Sequence, residues 1–278
     1  MQDASKPLWI KPKEQGTKGQ DKKPYNIFVA TPVHSDVSIH YTQSLLEFQK
    51  YCLEKKIDVT FQLFKSSLVT QGRNLCVGSF MESKHTHLLF IDSDIDFESK
   101  AIQALIDKDK DVISVPYPMK TFNWDKAFEN FKAGKIKNAK ELSMNANTYP
   151  MRLPNEENIK IENGCIEVSH SPTGCMLIKR SVIEKMIEKY PNLRIDQPTI
   201  INGKPTNKPH LYNFFDTMFD PVEHTYMGED FAFCKRWKDI GGKCHAIVDQ
   251  FITHVGEHQY CGRFADELIQ LPKNDTKS

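Results

Sequence analysis

The chain has 278 residues, 39% of them hydrophobic, which is enough to bury one good-sized core. Its 37 basic and 36 acidic residues leave a net charge of +1, which argues against a nucleic-acid partner. No stretch reaches the ~18 apolar residues that a membrane span needs, and the first residues lack an apolar signal segment. We therefore expect a cytoplasmic protein (in the host cytoplasm if it is viral) with no membrane span. Seven scattered cysteines without a C-x-x-C pair predict reduced, mostly buried thiols.

Composition divides the chain into three segments. Residues 1–24 are rich in Lys, Gln, Gly and Pro and have almost nothing to bury, which predicts a flexible leader. Residues 263–278 form a charged tail, and residues 25–262 contain the apolar runs of a single folded domain.

Strand and helix patterns alternate between residues 25 and 115. Short apolar or alternating runs predict strands at 25–30, 58–64, 87–91 and 111–115. Apolar residues at helical spacing predict helices at 38–55, 70–83 and 99–107. We expect the first strand to stop at Thr31 and Pro32. This alternation predicts an α/β fold with a mostly parallel central sheet flanked by helices.

The second half of the chain gives weaker signals. Residues 121–163 are polar and rich in Asn and Lys, and they predict a long irregular insertion. Strands are predicted at 165–168 and 174–178, followed by a helix at 181–189 and a last ordered block at 226–262.

Two carboxylates follow the third predicted strand, in the sequence Asp92, Ser93, Asp94. In open α/β sheets, ligands bind outside the carboxyl ends of the strands. Carboxylate oxygens suit Mg²⁺ or Mn²⁺, which also bind the phosphates of a substrate. This segment therefore predicts a site for a metal and a diphosphate, with an ordinary solvated turn as the alternative.

Five further residues are candidates, each with a simpler alternative. Arg73, near the start of a predicted helix, has donors for phosphate but also suits a surface charge. Gly174 precedes a strand, where glycine permits a ligand to approach or a tight turn to form. Glu229 and Asp230 begin a helix, which they would stabilise in any protein; a general base is the functional interpretation. His254 ends the last strand and by itself is most often a satisfied polar residue.

The order of these motifs resembles that of GT-A glycosyltransferases. Thr-Pro after the first strand is followed by Arg-Asn, Asp-Ser-Asp, Gly-Cys-Met-Leu-Ile, Gly-Glu-Asp and His-x-Gly. The chain is most similar to the small family-2-like enzymes of phages, large DNA viruses and bacteria, over residues 25–262 and least across 121–163 and 191–220. The resemblance implies a Rossmann-like GT-A domain that uses Mn²⁺ or Mg²⁺. Such an enzyme transfers a hexosyl or pentosyl group from a nucleotide-diphosphate sugar to a hydroxyl of a glycan, glycoprotein or other acceptor.

The resemblance also assigns roles by position. It implies a metal site of Asp92, Asp94 and His254, and an inverting displacement with Asp230 as base beside Glu229. It implies contacts to the nucleotide sugar from Thr31, Pro32, Arg73, Asp92, Ser93, Asp94 and Gly174. Two alternatives stay open: a nucleotidyltransferase on a related fold, although the Gly-rich phosphate loop is missing, and a non-catalytic module that binds nucleotide sugars.

Overall fold

The computed structural model describes residues 25–154, 159–201, 203–222 and 224–257. The predicted leader (1–24) and tail (263–278) lie outside the described residues, as does the end of the last predicted block.

Among the described residues, seven strands form the central sheet and six short strands form three pairs. The strands are β1 (Asn26–Val33), β2 (Asp58–Lys65), β3 (His87–Ile91), β4 (Ile95–Phe97), β5 (Val112–Ser114), β6 (Cys165–Val168), β7 (Cys175–Lys179), β8 (Thr199–Ile201), β9 (Lys204–Thr206), β10 (Met218–Asp220), β11 (Thr225–Met227), β12 (Cys244–Ile247) and β13 (Ile252–His254). The sheet order is β2-β1-β3-β7-β5-β12-β6, and the small pairs are β4 with β13, β8 with β9, and β10 with β11.

The central sheet is mixed but mostly runs in one direction. Strands β1, β2, β3, β5 and β12 point the same way, while β6 and β7 run antiparallel to their neighbours. The prediction of a single α/β domain with a mostly parallel sheet flanked by helices is therefore confirmed.

The helices flank the sheet on both faces. They are α1 (Ile39–Lys55), α2 (Val69–Glu82), α3 (Ser99–Asp107), α4 (Trp124–Lys132), α5 (Ala139–Asn145), α6 (Arg180–Lys189) and α7 (Glu229–Asp239), with a 3₁₀ turn at Pro191–Leu193. Side chains of α2, α6 and α7 belong to one hydrophobic cluster, and those of α1 and α3 belong to a second.

Strand alternation explains why there are two clusters. Along β1, Phe28 and Ala30 belong to the cluster with α2, whereas Ile27 and Val29 belong to the cluster with α1. Successive side chains of a strand point to opposite faces, so a strand covered on both faces must be apolar throughout. This is why the strands could be recognised as continuous apolar runs.

The sheet order has a switch point between β1 and β3. Strand β1 pairs with β2 on one side and with β3 on the other, so the connection from β1 leads outwards to β2 and the connection from β2 returns past β1 to β3. Such a switch point opens a crevice outside the carboxyl ends of the strands. The carboxyl ends of β3 and β5 and the amino end of the antiparallel β7 share that edge.

The first strand is longer than predicted. We expected it to stop at Thr31 and Pro32, but β1 continues to Val33. Its pairing with β3 ends at Ala30, while its pairing with β2 continues beyond Pro32. Past Ala30 the strand has an edge on one side, where a proline, which has no N–H to donate, is tolerated.

The segment 121–163 is more regular than predicted, because it contains α4 and α5. The asparagines that suggested irregular structure include two helix caps. Asn123 accepts the amide of Lys126, and Asn138 accepts the amide of Glu141. Asparagine is common both in loops and at helix N-caps, so composition alone could not separate the two cases.

The prediction of buried free thiols is confirmed for the described cysteines, namely Cys52, Cys76, Cys165, Cys175, Cys234 and Cys244. Cys261 lies outside the described residues. Across the described part of the chain, no helix combines the length and the apolar character that crossing a membrane requires.

Candidate functional site

The two aspartates after β3 have different surroundings. The backbone amide of Asp92 donates to the carbonyl of Gly174 at 3.0 Å, and the carbonyl of Asp92 accepts the amide of Ile95 at 3.1 Å. The first bond ties the end of β3 to the residue before β7, and the second closes a tight turn between β3 and β4. The side chain of Asp92 contacts Arg73, and the side chain of Asp94 contacts Lys120 and His254.

Arg73 forms a buried clamp between two carboxylates. It lies in the second turn of α2 and is only 3% exposed, so the interpretation as a surface charge is wrong. Its Nη2 donates to Oδ2 of Asp92 at 3.0 Å, and its Nη1 lies 3.0 Å from Oδ1. Its Nε donates to Oε1 of Glu229 at 3.2 Å. The guanidinium also lies 5.4 Å from the centre of the Phe90 ring.

The two carboxylates of this clamp favour the charged form of Arg73. Burial lowers the pKa of the Arg73 guanidinium, but the attraction of Asp92 and Glu229 outweighs it and holds that pKa above its usual value. The clamp joins the end of β3 to the start of α7, two elements far apart in sequence.

One carboxylate oxygen of Asp94 faces two side chains, the ammonium of Lys120 and the imidazole of His254. Lys120 Nζ donates to Oδ2 of Asp94 at 2.6 Å, and Nε2 of His254 lies 3.3 Å from the same oxygen. Burial opposes ionisation of Asp94, but the hydrogen bonds from His254 and Lys120 outweigh burial and lower its pKa to about 2. Asp94 is therefore a carboxylate throughout the physiological range.

The register of a small sheet brings His254 to Asp94. Strand β13 pairs antiparallel with β4 so that His254 faces Ile95, the neighbour of Asp94. The amide of Val255 also donates to the carbonyl of Asp94 at 2.8 Å. Nδ1 of His254 lies 2.9 Å from the carbonyl oxygen of Pro118, which can only accept, so Nδ1 carries the proton. A hydrogen bond from Nε2 to Asp94 therefore needs the doubly protonated ring, whereas in the neutral ring Nε2 presents a lone pair towards Asp94.

This pair fits two neighbouring positions around a divalent cation. Adjacent ligands in an octahedral Mg²⁺ shell lie about 3 Å apart, close to the separation of the Asp94 oxygen and the His254 nitrogen. Among the described residues, no group of three or more His, Cys, Asp or Glu side chains converges on one point. The predicted trio divides, because Asp94 contacts His254 whereas Asp92 is held by Arg73.

Tyr117 forms one wall beside this pair. Its ring lies edge-on to His254, with 4.9 Å between the ring centres. A side chain at Gly174 would lie 2.5 Å from the Tyr117 ring, so this position needs glycine for close packing. Burial and the charge of Asp92 raise the pKa of the Tyr117 hydroxyl, which stays neutral.

Asp230 lies in the first turn of α7. Gly228 caps the helix, and Oδ1 of Asp230 accepts the free amide of Phe231 at 2.7 Å. Glu229 and Asp230 both lie in the first turn of α7, where acidic residues stabilise the helix N-terminus. Burial and the neighbouring charge of Glu229 raise the pKa of Asp230 to about 6. A carboxylate of this basicity is suited to accept a proton near neutral pH.

The remaining predicted residues lie at the ends of β1 and β3 with different exposure. Thr31 is fully buried, and its hydroxyl shares a hydrogen bond of 2.6 Å with the hydroxyl of Tyr41. Pro32 and Ser93 are half-buried, and the carbonyl of Ser93 accepts the amide of Ser38 at 2.8 Å. This last bond ties the start of α1 to the turn that contains the two aspartates.

Tyr117 and Lys120 were not predicted from the sequence. Both follow β5, whose carboxyl end lies on the same edge as that of β3. The strand-end rule that identified Asp92 and Asp94 would have identified this connection as well.

Comparison with known proteins gives a distant structural likeness only. No family model matches the chain, and no curated protein matches it. The solved structure of A197 from STIV has a TM-score of 0.43 and 16% identity, and it covers 86% of this chain and 98% of that one. A glycosyltransferase involved in the glycosylation of the major capsid of PBCV-1 has a TM-score of 0.32 and 12% identity. That match covers 60% of this chain and 66% of the other.

The clamp predicts a large stability effect for Arg73→Met. The substitution leaves Asp92 and Glu229 without their cation, and removing one partner of a buried ion pair costs about 3–5 kcal/mol. Denaturant unfolding should show that loss in the free energy of unfolding. The triple variant Arg73→Met/Asp92→Asn/Glu229→Gln should recover part of it. A loss below about 1 kcal/mol for Arg73→Met alone would contradict a buried clamp.

Proposed function

We propose that the chain is a metal-dependent glycosyltransferase that moves a sugar from a nucleotide-diphosphate donor to a hydroxyl of a glycan or glycoprotein. The observation that carries this proposal is the Asp94–His254 pair at the strand ends, joined through the Arg73 clamp to a helix that presents Asp230. The residues proposed to hold the metal and the proposed general base are thus connected through Asp92, Arg73 and Glu229. The order of the motifs in the sequence supports the same class of enzyme.

The donor side of the proposed reaction requires charge neutralisation. The leaving group is a nucleoside diphosphate, and bound Mg²⁺ or Mn²⁺ would supply positive charge to it. Asp94 and Nε2 of His254 would hold the metal, with the rest of its shell provided by the diphosphate and water. Asp92, fixed by Arg73, would then be free of the metal and could accept a hydrogen bond from the donor.

The acceptor side requires a base. In the proposed displacement, Asp230 takes the proton of the acceptor hydroxyl, and the hydroxyl oxygen attacks the anomeric carbon. The bond from that carbon to the diphosphate oxygen breaks, and the electron pair leaves with the nucleoside diphosphate. One such displacement inverts the anomeric configuration. Glu229 takes no proton in this scheme; its negative charge helps keep Asp230 basic.

The direct test is turnover of a panel of nucleotide sugars in the presence of Mn²⁺. We expect the wild-type protein to release nucleoside diphosphate from one donor, and we expect chelation of the metal to stop the release. Asp94→Asn, which keeps the size of the side chain but loses its charge, should lower the rate by at least about 100-fold. Asp96→Asn is the matched control, because Asp96 bonds to Ser44 of α1 instead.

The same assay separates the alternatives. Release of pyrophosphate, when a sugar phosphate and a nucleoside triphosphate are supplied, would indicate a nucleotidyltransferase. Tight binding of a donor without turnover would indicate a binding module. The absence of both binding and turnover across the panel would contradict the proposal.

The basicity of Asp230 predicts the pH dependence of kcat/KM. The rate should rise with pH as Asp230 loses its proton and should level off above about pH 6. In Glu229→Gln the amide oxygen can still accept from Arg73, but the repelling charge is gone. The acidic limb should therefore move to lower pH.

Two comparisons make this pH test specific. Asp230→Asn should abolish the acidic limb of the pH profile and lower the rate by about 100- to 10,000-fold. Asp239→Asn, at the other end of α7 and paired with Lys235, should leave the profile unchanged. An unshifted limb in Glu229→Gln would show that Asp230 is not the group that titrates.

A further inference from the structure

Lys120 occupies the side of Asp94 where a cation is expected. Its ammonium lies 2.6 Å from Oδ2 of Asp94, the same oxygen that faces Nε2 of His254. A divalent ion held between Oδ2 of Asp94 and Nε2 of His254 would contact the same oxygen as the ammonium, and the two positive charges would repel each other. The ammonium and the metal therefore cannot both keep their best contact with it.

The ammonium of Lys120 can leave this position at little cost. The Lys120 side chain is 39% exposed, so its charge can turn into water or towards another anion without being desolvated. Among the described residues, the polar contact of the Lys120 ammonium is its hydrogen bond to Asp94. A partly exposed ion pair of this kind contributes little to stability.

The aliphatic part of Lys120 packs closely against Gly256. A side chain at Gly256 would lie 2.6 Å from Cδ of Lys120 and 3.1 Å from Cε. Gly256 follows His254 by two residues, so the strand that supplies the histidine also leaves space for the lysine. A methyl group at position 256 would push the ammonium away from Asp94 without removing its charge.

We infer that Lys120 is an exchangeable cation: it neutralises Asp94 while the site is empty and turns to the donor diphosphate when the metal–nucleotide complex binds. This inference rests on the proposed function and adds a residue to it. Lys120 weakens the binding of free metal, because the metal must displace it. The displaced ammonium of Lys120 then lies within reach of the bound diphosphate and stabilises it with its positive charge.

The inference predicts effects of opposite sign from one substitution. In Lys120→Met, the affinity for Mn²⁺ alone should rise by about 10-fold, because the competing charge is gone. The affinity for nucleoside diphosphate in saturating Mn²⁺ should fall by about 10-fold, because the diphosphate loses a cation. Mn²⁺ binding is measured by electron paramagnetic resonance of the free ion, and UDP, GDP, CDP and ADP are titrated in turn by calorimetry.

Two further variants control this experiment. Lys126→Met removes an exposed lysine six residues away in the chain, whose ammonium donates to the carbonyl of Asn147, and it should change neither affinity. Gly256→Ala displaces the ammonium but keeps its charge, so it should tighten Mn²⁺ binding as Lys120→Met does. Thermal unfolding with and without Mn²⁺ shows that each variant is folded and gives a second measure of metal affinity.

The outcomes separate this inference from the proposed function. Unchanged affinities in Lys120→Met, or two affinities that fall together, would overturn the exchange and leave the transferase proposal in place. Failure of the wild-type protein to bind both Mn²⁺ and every nucleoside diphosphate would overturn the two together.

Discussion

The site depends on one buried guanidinium. Arg73 lies inside the protein, where an uncompensated charge is very costly, so Asp92 and Glu229 must stay beside it. Asp92 belongs to the turn after β3, and Glu229 belongs to the first turn of α7, 156 residues from Arg73 in the chain. The clamp therefore fixes the distance between the strand end and the helix that presents Asp230. Loss of the clamp would release both sides of the proposed site.

The spacing of the two aspartates gives them separate tasks. Asp92 is paired with the buried Arg73, whereas Asp94 is somewhat more exposed and faces Lys120 and His254. The first carboxylate serves the architecture of the site, and the second is available to a ligand. Glu229 and Asp230 differ in the same way. Glu229 is paired with Arg73, whereas Asp230 has a pKa of about 6. In both pairs, a residue held by Arg73 lies beside the residue to which the proposed reaction gives a direct role.

Local rules predicted the strands and the acidic turn, because strands buried on both faces are apolar throughout and ligands collect at strand ends. They also identified Asp94, Asp230 and His254 as candidates. They could not show that Arg73 is buried, since its partners are distant in sequence. They missed Lys120 because the strand-end rule was not applied to the connection after β5, and its contact with Asp94 is a tertiary one. The helices of the segment 121–163 were missed because capping asparagines resemble loop residues.

The most direct test of the central claim is the position of the metal. Crystals grown with Mn²⁺ and the nucleoside diphosphate that binds best would be measured at a wavelength where manganese scatters anomalously. The account predicts an anomalous peak in contact with Asp94 Oδ2 and His254 Nε2, bridged to the diphosphate, with the Arg73 clamp on Asp92 intact. A nucleotide bound elsewhere, or a peak that leaves Asp94 and His254 untouched, would contradict the account.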